Sequence, residues 1–310
     1  MPCCPLSGSP DVTLVERLDV HDIVTLFRTR MKVEIGNEFK GLTTIDYYKS
    51  NATGLYFFDP LITGSEGFYE QLQKQSFYYP DERGEFQYAA RLVKAHQKVL
   101  EIGCGKGVFA DFIPSATYIG LEFNASAVQR ARARGLTVLK ESIEHHATTH
   151  NGAYDIVCAF QVLEHVSDIV GFITSSIAAL RPGGLIIYTV PNTDSFLRWS
   201  VNNILAVPPH HVTMWTDQAL RAVARLFSLK IIDIRCEALS PNHRGAFLQA
   251  MINRSYAIAT HQKPRLLNTS LSYRLVDRML FRLCRQFALF MLPPCDTLIG
   301  HSLYAVYQKP

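Results

Sequence analysis

No stretch of the 310-residue chain is both long and uncharged enough to span a membrane. The opening residues, Met1-Pro2-Cys3-Cys4-Pro5, lack the basic region and apolar core of a secretory signal, so no leader is expected. There is no low-complexity tract and no internal repeat. The formal net charge of +4 is too mild to argue by itself for nucleic acid. The seven cysteines are scattered, and Cys104 and Cys158 fall in strand-like or site-like runs. They read as reduced thiols of a cytoplasmic protein. What the chain has in quantity is apolar residues. At 48% hydrophobic it can build a large core, as one large domain or one domain plus an accessory piece.

One stretch organises the rest. Lys98 to Ile102 reads as a buried strand, with Glu101 near its end, and Gly103, Gly105 and Gly107 follow before the apolar segment Val108 to Ile113. A strand breaking into a glycine-rich turn and then a helix is the entrance to a nucleotide-type site in an α/β sheet. Glycine is needed where a ligand must touch the backbone. The dinucleotide fingerprint spaces its glycines G-x-G-x-x-G, whereas Val108 stands here where the last should be. Glu101 would repel a phosphate but suits a cation. S-adenosylmethionine (SAM), with an ammonium, a sulfonium and no phosphate, is such a ligand. The stretch, Cys104 included, resembles motif I of class I SAM-dependent methyltransferases.

The downstream chain carries further marks. Thr117 to Leu121 reads as a second strand ended by Glu122, with Phe123 next. An acid there, about 20 residues past the glycines, is the ribose ligand of this site class, and its two oxygens can take both hydroxyls. Asn124 caps a helix that runs through Arg134 and stops at Gly135. Thr137 to Lys140 is a third strand, and the resemblance implies that Ser142 and Ile143 contact adenine. His145, His146 and His150 follow in a polar loop; no carboxylate or thiol joins them at usable spacing, so they are not read as a metal site.

Tyr154 to Phe160 is the fourth strand. The next run, Gln161-Val162-Leu163-Glu164-His165-Val166, resembles the segment after strand four of the ubiquinone-biosynthesis methyltransferases, often E-x-x-E-H. The first acid is Gln161 here, and no metal is expected. The resemblance implies that Phe160 and Gln161 flank the methionine end of SAM, and that Glu164 and His165 either take part in catalysis or order the helix start. Ile169 to Leu180 is a helix stopped by Arg181-Pro182-Gly183-Gly184, and Leu185 to Val190 is strand five. Two prolines then stiffen a loop, Val207 to Thr216, that presents His210 and His211, and Thr216 caps a helix from Asp217 to Phe227. Similar methyltransferases place this loop over the acceptor, which makes His210 or His211 the candidate base for a hydroxyl; the alternative is that one of the pair braces the loop. Lys230 to Cys236 and Ser302 to Gln308 read as strands six and seven.

Two flanking pieces remain. Residues 1–62 resemble the zinc-ribbon-like module that precedes many class I methyltransferases, with C-P-x-C-G and C-x-x-C-G turns. Here the four ligand positions are Cys4, Ser7, Ser50 and Thr53, with Gly8 and Gly54 after each pair. Three hydroxyls are poor zinc ligands, so the module's shape is expected without its metal. Residues 12–18 and 20–31 fit strands or short helices equally. Residues 63–96 read as a helical cap whose Tyr69, Phe77, Tyr78 and Tyr79 are lid candidates or core aromatics. Residues 242–294 form a basic insertion with a helix from Leu271 to Leu292, where Arg274, Arg278, Arg282 and Arg285 share a stripe. Such a helix packs on the domain with a solvated arginine face, lies on an anionic membrane, or binds an anionic acceptor.

The expected architecture is a Rossmann-like α/β domain: seven mostly parallel strands, helices on both faces, and an antiparallel last strand. Its core is 97–241, completed by 295–310. The implied activity is SAM-dependent methyl transfer, most simply to a hydroxyl of a sugar or natural product. Alternatives are a quinone-ring O-methyltransferase and a non-catalytic SAM-binding partner protein. The expected partner is a small-molecule or glycan acceptor, anionic or lipid-linked, rather than nucleic acid, in a cytoplasmic protein with peripheral membrane contact through 271–292.

Overall fold

A computed structural model describes residues 2–74, 84–291 and 298–310. The ambiguous start resolves into both element types: β1 (Val12–Asp19) runs straight into α1 (Val20–Met31). Asp19 makes the switch, because its carboxylate accepts from the His21 amide as an N-cap. β2 (Thr44–Ser50) and β3 (Tyr56–Asp59) complete an antiparallel meander with β1. Period-two alternation turns Ile45 and Tyr47 inward, where Tyr47 stacks on Phe58 at 4.7 Å.

The cap region gives two short helices, α2 (Glu66–Gln73) and α3 (Gly84–Ala90). Of the lid candidates, Phe77, Tyr78 and Tyr79 lie outside the described residues. α3 ends at Ala90, short of the His96 suggested by the apolar spacing.

The core then follows in order: β4 (Lys98–Ile102), β5 (Thr117–Leu121), α4 (Ala125–Ala133), β6 (Val138–Leu139), α5 (Ile143–Thr149), β7 (Tyr154–Phe160), α6 (Ile169–Ala179) and β8 (Leu180–Pro191). After a loop come β9 (Thr213–Met214), α7 (Asp217–Leu226), β10 (Lys230–Ala238), α8 (Arg244–Ala259), α9 (Leu271–Met291) and β11 (Ile299–Gln308). Among the described residues seven strands form one sheet, ordered β10-β11-β8-β7-β4-β5-β6. β11 is antiparallel to both neighbours and the other pairings are parallel. Side chains of β7 alternate between two apolar layers. Val157 and Ala159 pack with residues of α6 and α7. Ile156, Cys158 and Phe160 pack with Phe86 of α3 and with Phe109. Each fully buried valine, isoleucine or phenylalanine of these layers contributes about 1.5–3 kcal/mol.

Three local expectations need correction. The glycine turn leads into a single five-residue 3-10 turn, Val108–Phe112, because Pro114 disfavours helical backbone at the residue before it. Residues 143–149 form α5 rather than a polar loop. Ser142 caps it, and His146 is buried between Glu141 and the Tyr154 hydroxyl, each 2.6 Å away. The Arg181-Pro182-Gly183-Gly184 turn is a bulge within β8, whose pairing with β7 jumps from Tyr154–Leu180 to Ile156–Leu185.

The chain lays β4, β5 and β6 outward, then returns to place β7 and β8 on the other side of β4. Ligands of such sheets bind at this switch point, outside the carboxyl ends of the strands.

Candidate active site

A cavity of about 1010 Å³ opens at that switch point. The ends of β4, β5 and β7 supply its wall, through Glu101 and Ile102, Leu121 and Glu122, and Phe160 and Gln161.

The glycine turn is held by backbone bonds: the amides of Gly103 and Cys104 both donate to the Leu121 carbonyl, at 2.8 and 3.0 Å. Gly103 has φ +69°, and a Cβ there would stand 2.6 Å from Val162 Cγ2. The amide of Gly105 donates to Glu122 Oε2 at 2.9 Å, and Glu122 Oε1 accepts from the Asn124 amide at 2.8 Å. The carboxylate thus ties the turn to the end of β5, and each oxygen retains acceptor capacity for a ligand hydroxyl. Gly107 stands apart from the other glycines. It does not line the cavity, and its missing Cβ makes room for Leu136, whose Cδ1 would be 2.5 Å away.

Glu101 is buried and accepts from the Tyr118 hydroxyl at 2.5 Å. Burial, then Glu101 and Glu122, push the Cys104 thiol far above its ordinary range, so it stays protonated and inert. Ser142 lines the cavity while its Oγ accepts from the His145 amide at 3.2 Å, and Ile143 is buried beside it. Phe123 is 65% exposed, an aromatic face on the cavity wall that a flat ring can cover.

Phe160 packs between Phe109 and Phe86, at 4.8 and 5.0 Å between ring centres. Gln161 follows with φ +57°, and its amide donates to Glu85 Oε2 at 3.0 Å and Ser302 Oγ at 3.2 Å. Glu85, which the sequence reading missed, is buried in the wall and also accepts from the Thr189 hydroxyl. Glu237 of β10 was missed as well. It accepts from the amides of His301 and Ser302, both at 3.0 Å, and burial raises its carboxyl. A glutamate in an alternating strand carries no sequence mark of burial.

The histidines of two distant segments meet in this cavity. His165 sits in the turn after β7, and His210 and His211 sit in the loop before β9. The rings of His165 and His210 are 4.5 Å apart, those of His165 and His211 4.9 Å, and those of His210 and His211 stack at 4.7 Å. His165 Nδ1 donates to the His210 carbonyl at 2.6 Å, and His210 Nδ1 donates to the Leu205 carbonyl at 2.9 Å. A carbonyl only accepts, so in these two bonds Nδ1 is the donor; the His165 ring also meets the Gln161 carbonyl. Burial pushes His165 down to about 4 and takes His210 and His211 well below the usual range. All three are neutral at pH 7. Their ring nitrogens lie within 4.8 Å of one another, compact enough for a divalent ion. Tyr69, the described lid candidate, closes over His165 and His210 with ring centres 6.1 and 6.3 Å away.

The loop itself is pinned from two sides. The Val212 amide donates to the Glu164 carbonyl at 2.9 Å, and the Phe58 amide donates to the Val212 carbonyl at 3.1 Å. Glu164 thus anchors the loop through its backbone.

The wall chemistry fits SAM. A glycine-rich turn lies between two carboxylates, Glu101 and Glu122, with an aromatic and an aliphatic side chain, Phe123 and Ile143, beside them. This arrangement suits a cation with a ribose and a flat ring.

The comparisons agree. The family described as a methyltransferase domain matches residues 72–234, more than half of the chain. The ubiquinone biosynthesis O-methyltransferase of Vibrio parahaemolyticus is 35% identical over 106 residues, covering 32% of this chain and 45% of that protein. Its counterpart in Pectobacterium atrosepticum is 34% identical over 107 residues, covering 32% and 44%. The chain therefore spans less than half the length of these curated relatives. The crystal structure of a SAM-dependent methyltransferase from Archaeoglobus fulgidus aligns with 78% of this chain and 100% of its own, at a TM-score of 0.51 and 14% identity, a likeness of fold. The chain belongs to the methyltransferase-domain family, as a class I SAM-dependent methyltransferase with S-adenosylmethionine as its cofactor.

Proposed function

We propose that the chain methylates a hydroxyl of a sugar or related natural product, and that one imidazole of His165, His210 and His211 takes the hydroxyl's proton. The observation that supports this reading is the meeting of three neutral imidazoles in the cavity walled by the glycine turn.

When bound, SAM supplies a methyl group on a sulfonium, which leaves as a neutral thioether. The chain's own residues have the remaining tasks. Glu122 accepts the ribose hydroxyls and Glu101 faces the cationic end. Phe123, Ser142 and Ile143 border the adenine, and Phe160 and Gln161 border the methionine end. Tyr69 helps to exclude water. An imidazole as weak as His165 is a poor base for a free alcohol. It is adequate once the new C–O bond is forming, because a protonated ether is a far stronger acid than any imidazolium. The carbonyls on Nδ1 hold two of the rings in fixed orientation in the cavity wall.

A second reading, a quinone-ring hydroxyl as acceptor, follows the names of the curated relatives. Gln161 in place of the first acid of E-x-x-E-H weakens it. Transfer of a labelled methyl to a panel of sugars, nucleotide sugars and catechols separates the two. SAM binding by calorimetry with no transfer to any acceptor would favour the non-catalytic partner. A free-base histidine predicts full turnover after chelation; activity lost to a chelator and restored by a divalent ion would make the trio a metal site instead.

A further inference from the structure

A helix packed on a domain normally turns its apolar stripe inward. α9 also carries an apolar row on its outer side. Its buried positions include Asp277 and Cys284, seven residues apart. Among its exposed positions are Leu271, Leu275, Met279, Leu283 and Phe287, each four residues on from the last and between 43% and 72% exposed. The roll of the helix is fixed by Asp277, which accepts from Arg30 of α1 at 2.5 Å and from Gln249 of α8 at 2.6 Å. α8, packed against α9, exposes Tyr256 and Ile258. Five large apolar side chains in one exposed row call for a cover.

The charge of the segment says what kind. Residues 242–294 carry eight lysines and arginines and a single acid, Asp277, which is turned inward. Arg254 on α8, Lys263 and Arg265 in the following loop, and Arg282 on α9 are exposed. A second copy using the same face would set this positive surface against itself. A bilayer with anionic headgroups accepts both features, the apolar row at the acyl boundary and the cations among the phosphates. No helix among the described residues is long and apolar enough to cross a membrane, so the contact lies along the surface.

We propose that α8 and α9 form a peripheral docking surface for an anionic lipid bilayer. The residues that lead into α8, among them Ser240, Asn242 and His243, line the cavity. Docking therefore sets the cavity near the bilayer, suited to an acceptor with a lipid tail. The docking surface stands whether or not the hydroxyl-acceptor reading holds.

The test is flotation of the full chain with vesicles of phosphatidylcholine alone, and of phosphatidylcholine mixed with phosphatidylglycerol. The expected result is binding to the mixed vesicles, little to the neutral ones, and release by salt. The double variants Leu275→Gln/Met279→Gln and Arg254→Gln/Arg282→Gln should each lower the bound fraction about tenfold. All four residues are exposed, so the melting curves of both variants should match the parent. No binding of the parent to mixed vesicles overturns the proposal, as does binding that Leu275→Gln/Met279→Gln leaves intact. A dimer by light scattering that this variant abolishes, without vesicle binding, would assign the row to a second copy and overturn it too. Calorimetry of SAM without vesicles is the separate check on the methyl-transfer reading; its failure leaves the flotation result standing.

Discussion

Two tight clusters of ligand-type side chains sit in this chain, and they spend their hydrogen bonds in opposite ways. The N-terminal one is built from two like turns. The Gly8 amide donates to the Cys4 carbonyl at 2.8 Å, the Gly54 amide to the Ser50 carbonyl at 2.9 Å, and both glycines have positive φ, +69° and +74°. Cys4 Sγ meets Thr53 Oγ1 at 3.4 Å, and Ser50 Oγ accepts from the Thr53 amide at 3.3 Å. Burial raises the Cys4 thiol's pKa, but hydrogen bonds with Ser50, Ser7 and Thr53 outweigh it and the net shift is downward. This cluster satisfies itself. In the histidine cluster the Nδ1 protons of His165 and His210 go out to backbone carbonyls, and the three rings face one another across the cavity wall. The first arrangement holds a fold together; the second is laid out to meet a ligand.

The largest expected effect comes from converting the first cluster. Ser7→Cys/Ser50→Cys/Thr53→Cys should give a four-thiolate set on two matching turns, with stoichiometric zinc by metal analysis and a raised melting temperature; structural zinc sites contribute on the order of 10 kcal/mol at neutral pH. A triple variant that takes up no zinc would show that the four positions are not a ligand set. Stoichiometric zinc in the parent chain would show that the metal was never lost.

Next comes the second cluster. His165→Ala, His210→Ala and His211→Ala, taken singly, should include at least one that lowers kcat for methyl transfer by about 10²–10⁴-fold while SAM affinity by calorimetry is kept. Full turnover in all three removes the base. Glu122→Ala should act on the other quantity and weaken SAM binding; unchanged binding would free the ribose assignment from Glu122.

Acid separates the clusters without mutation. His165, His210 and His211 are neutral in the fold and titrate near 6.5 when unfolded. As pH falls from about 6.5 towards 4, the unfolded chain binds protons that the folded chain refuses. Stability should therefore drop across that window, by about 3 kcal/mol from His165 alone. Melting at stepped pH checks it, with His165→Gln as the variant that flattens the slope. A parent curve with no slope between pH 6.5 and 4 would contradict the burial of these rings.

How much was legible follows from how local each feature is. Motif I, Glu122 and the Asn124 and Thr216 caps are set by neighbours in sequence, and their elements were read nearly to the residue. The histidine cluster depends on the turn after β7 meeting a loop 45 residues later, through one bond from His165 to the His210 carbonyl. Pro208-Pro209-His210-His211 showed two of its members and gave no sign of their contact with the third. Glu85 and Glu237 stayed hidden because their burial comes from strand and helix packing. α9 was legible as a helix, but its roll was not. That is set by Arg30, 247 residues away in the chain, which draws Asp277 inward.

The smallest expected effect tests how the two regions are joined. The Thr216 hydroxyl donates to the Gly54 carbonyl at 3.1 Å and caps α7, just after the histidine loop. Gly8 and Gly54 occupy like turns, yet a Cβ on Gly8 would meet nothing within 4 Å, while one on Gly54 would stand 2.6 Å from Gln218 Oε1 and 2.9 Å from Gln218 Cβ. The amide end of Gln218 can swing aside; its Cβ is fixed by α7. Gly8→Ala should therefore cost only the left-handed backbone, about 1 kcal/mol. Gly54→Ala should cost that and a displacement of α7, about 2–3 kcal/mol in total. Because the displacement reaches the histidine loop through Thr216, Gly54→Ala should also slow methyl transfer at a temperature where it remains folded, and Gly8→Ala should not. Equal turnover in the two variants would mean that the N-terminal turns support the fold without positioning the histidines.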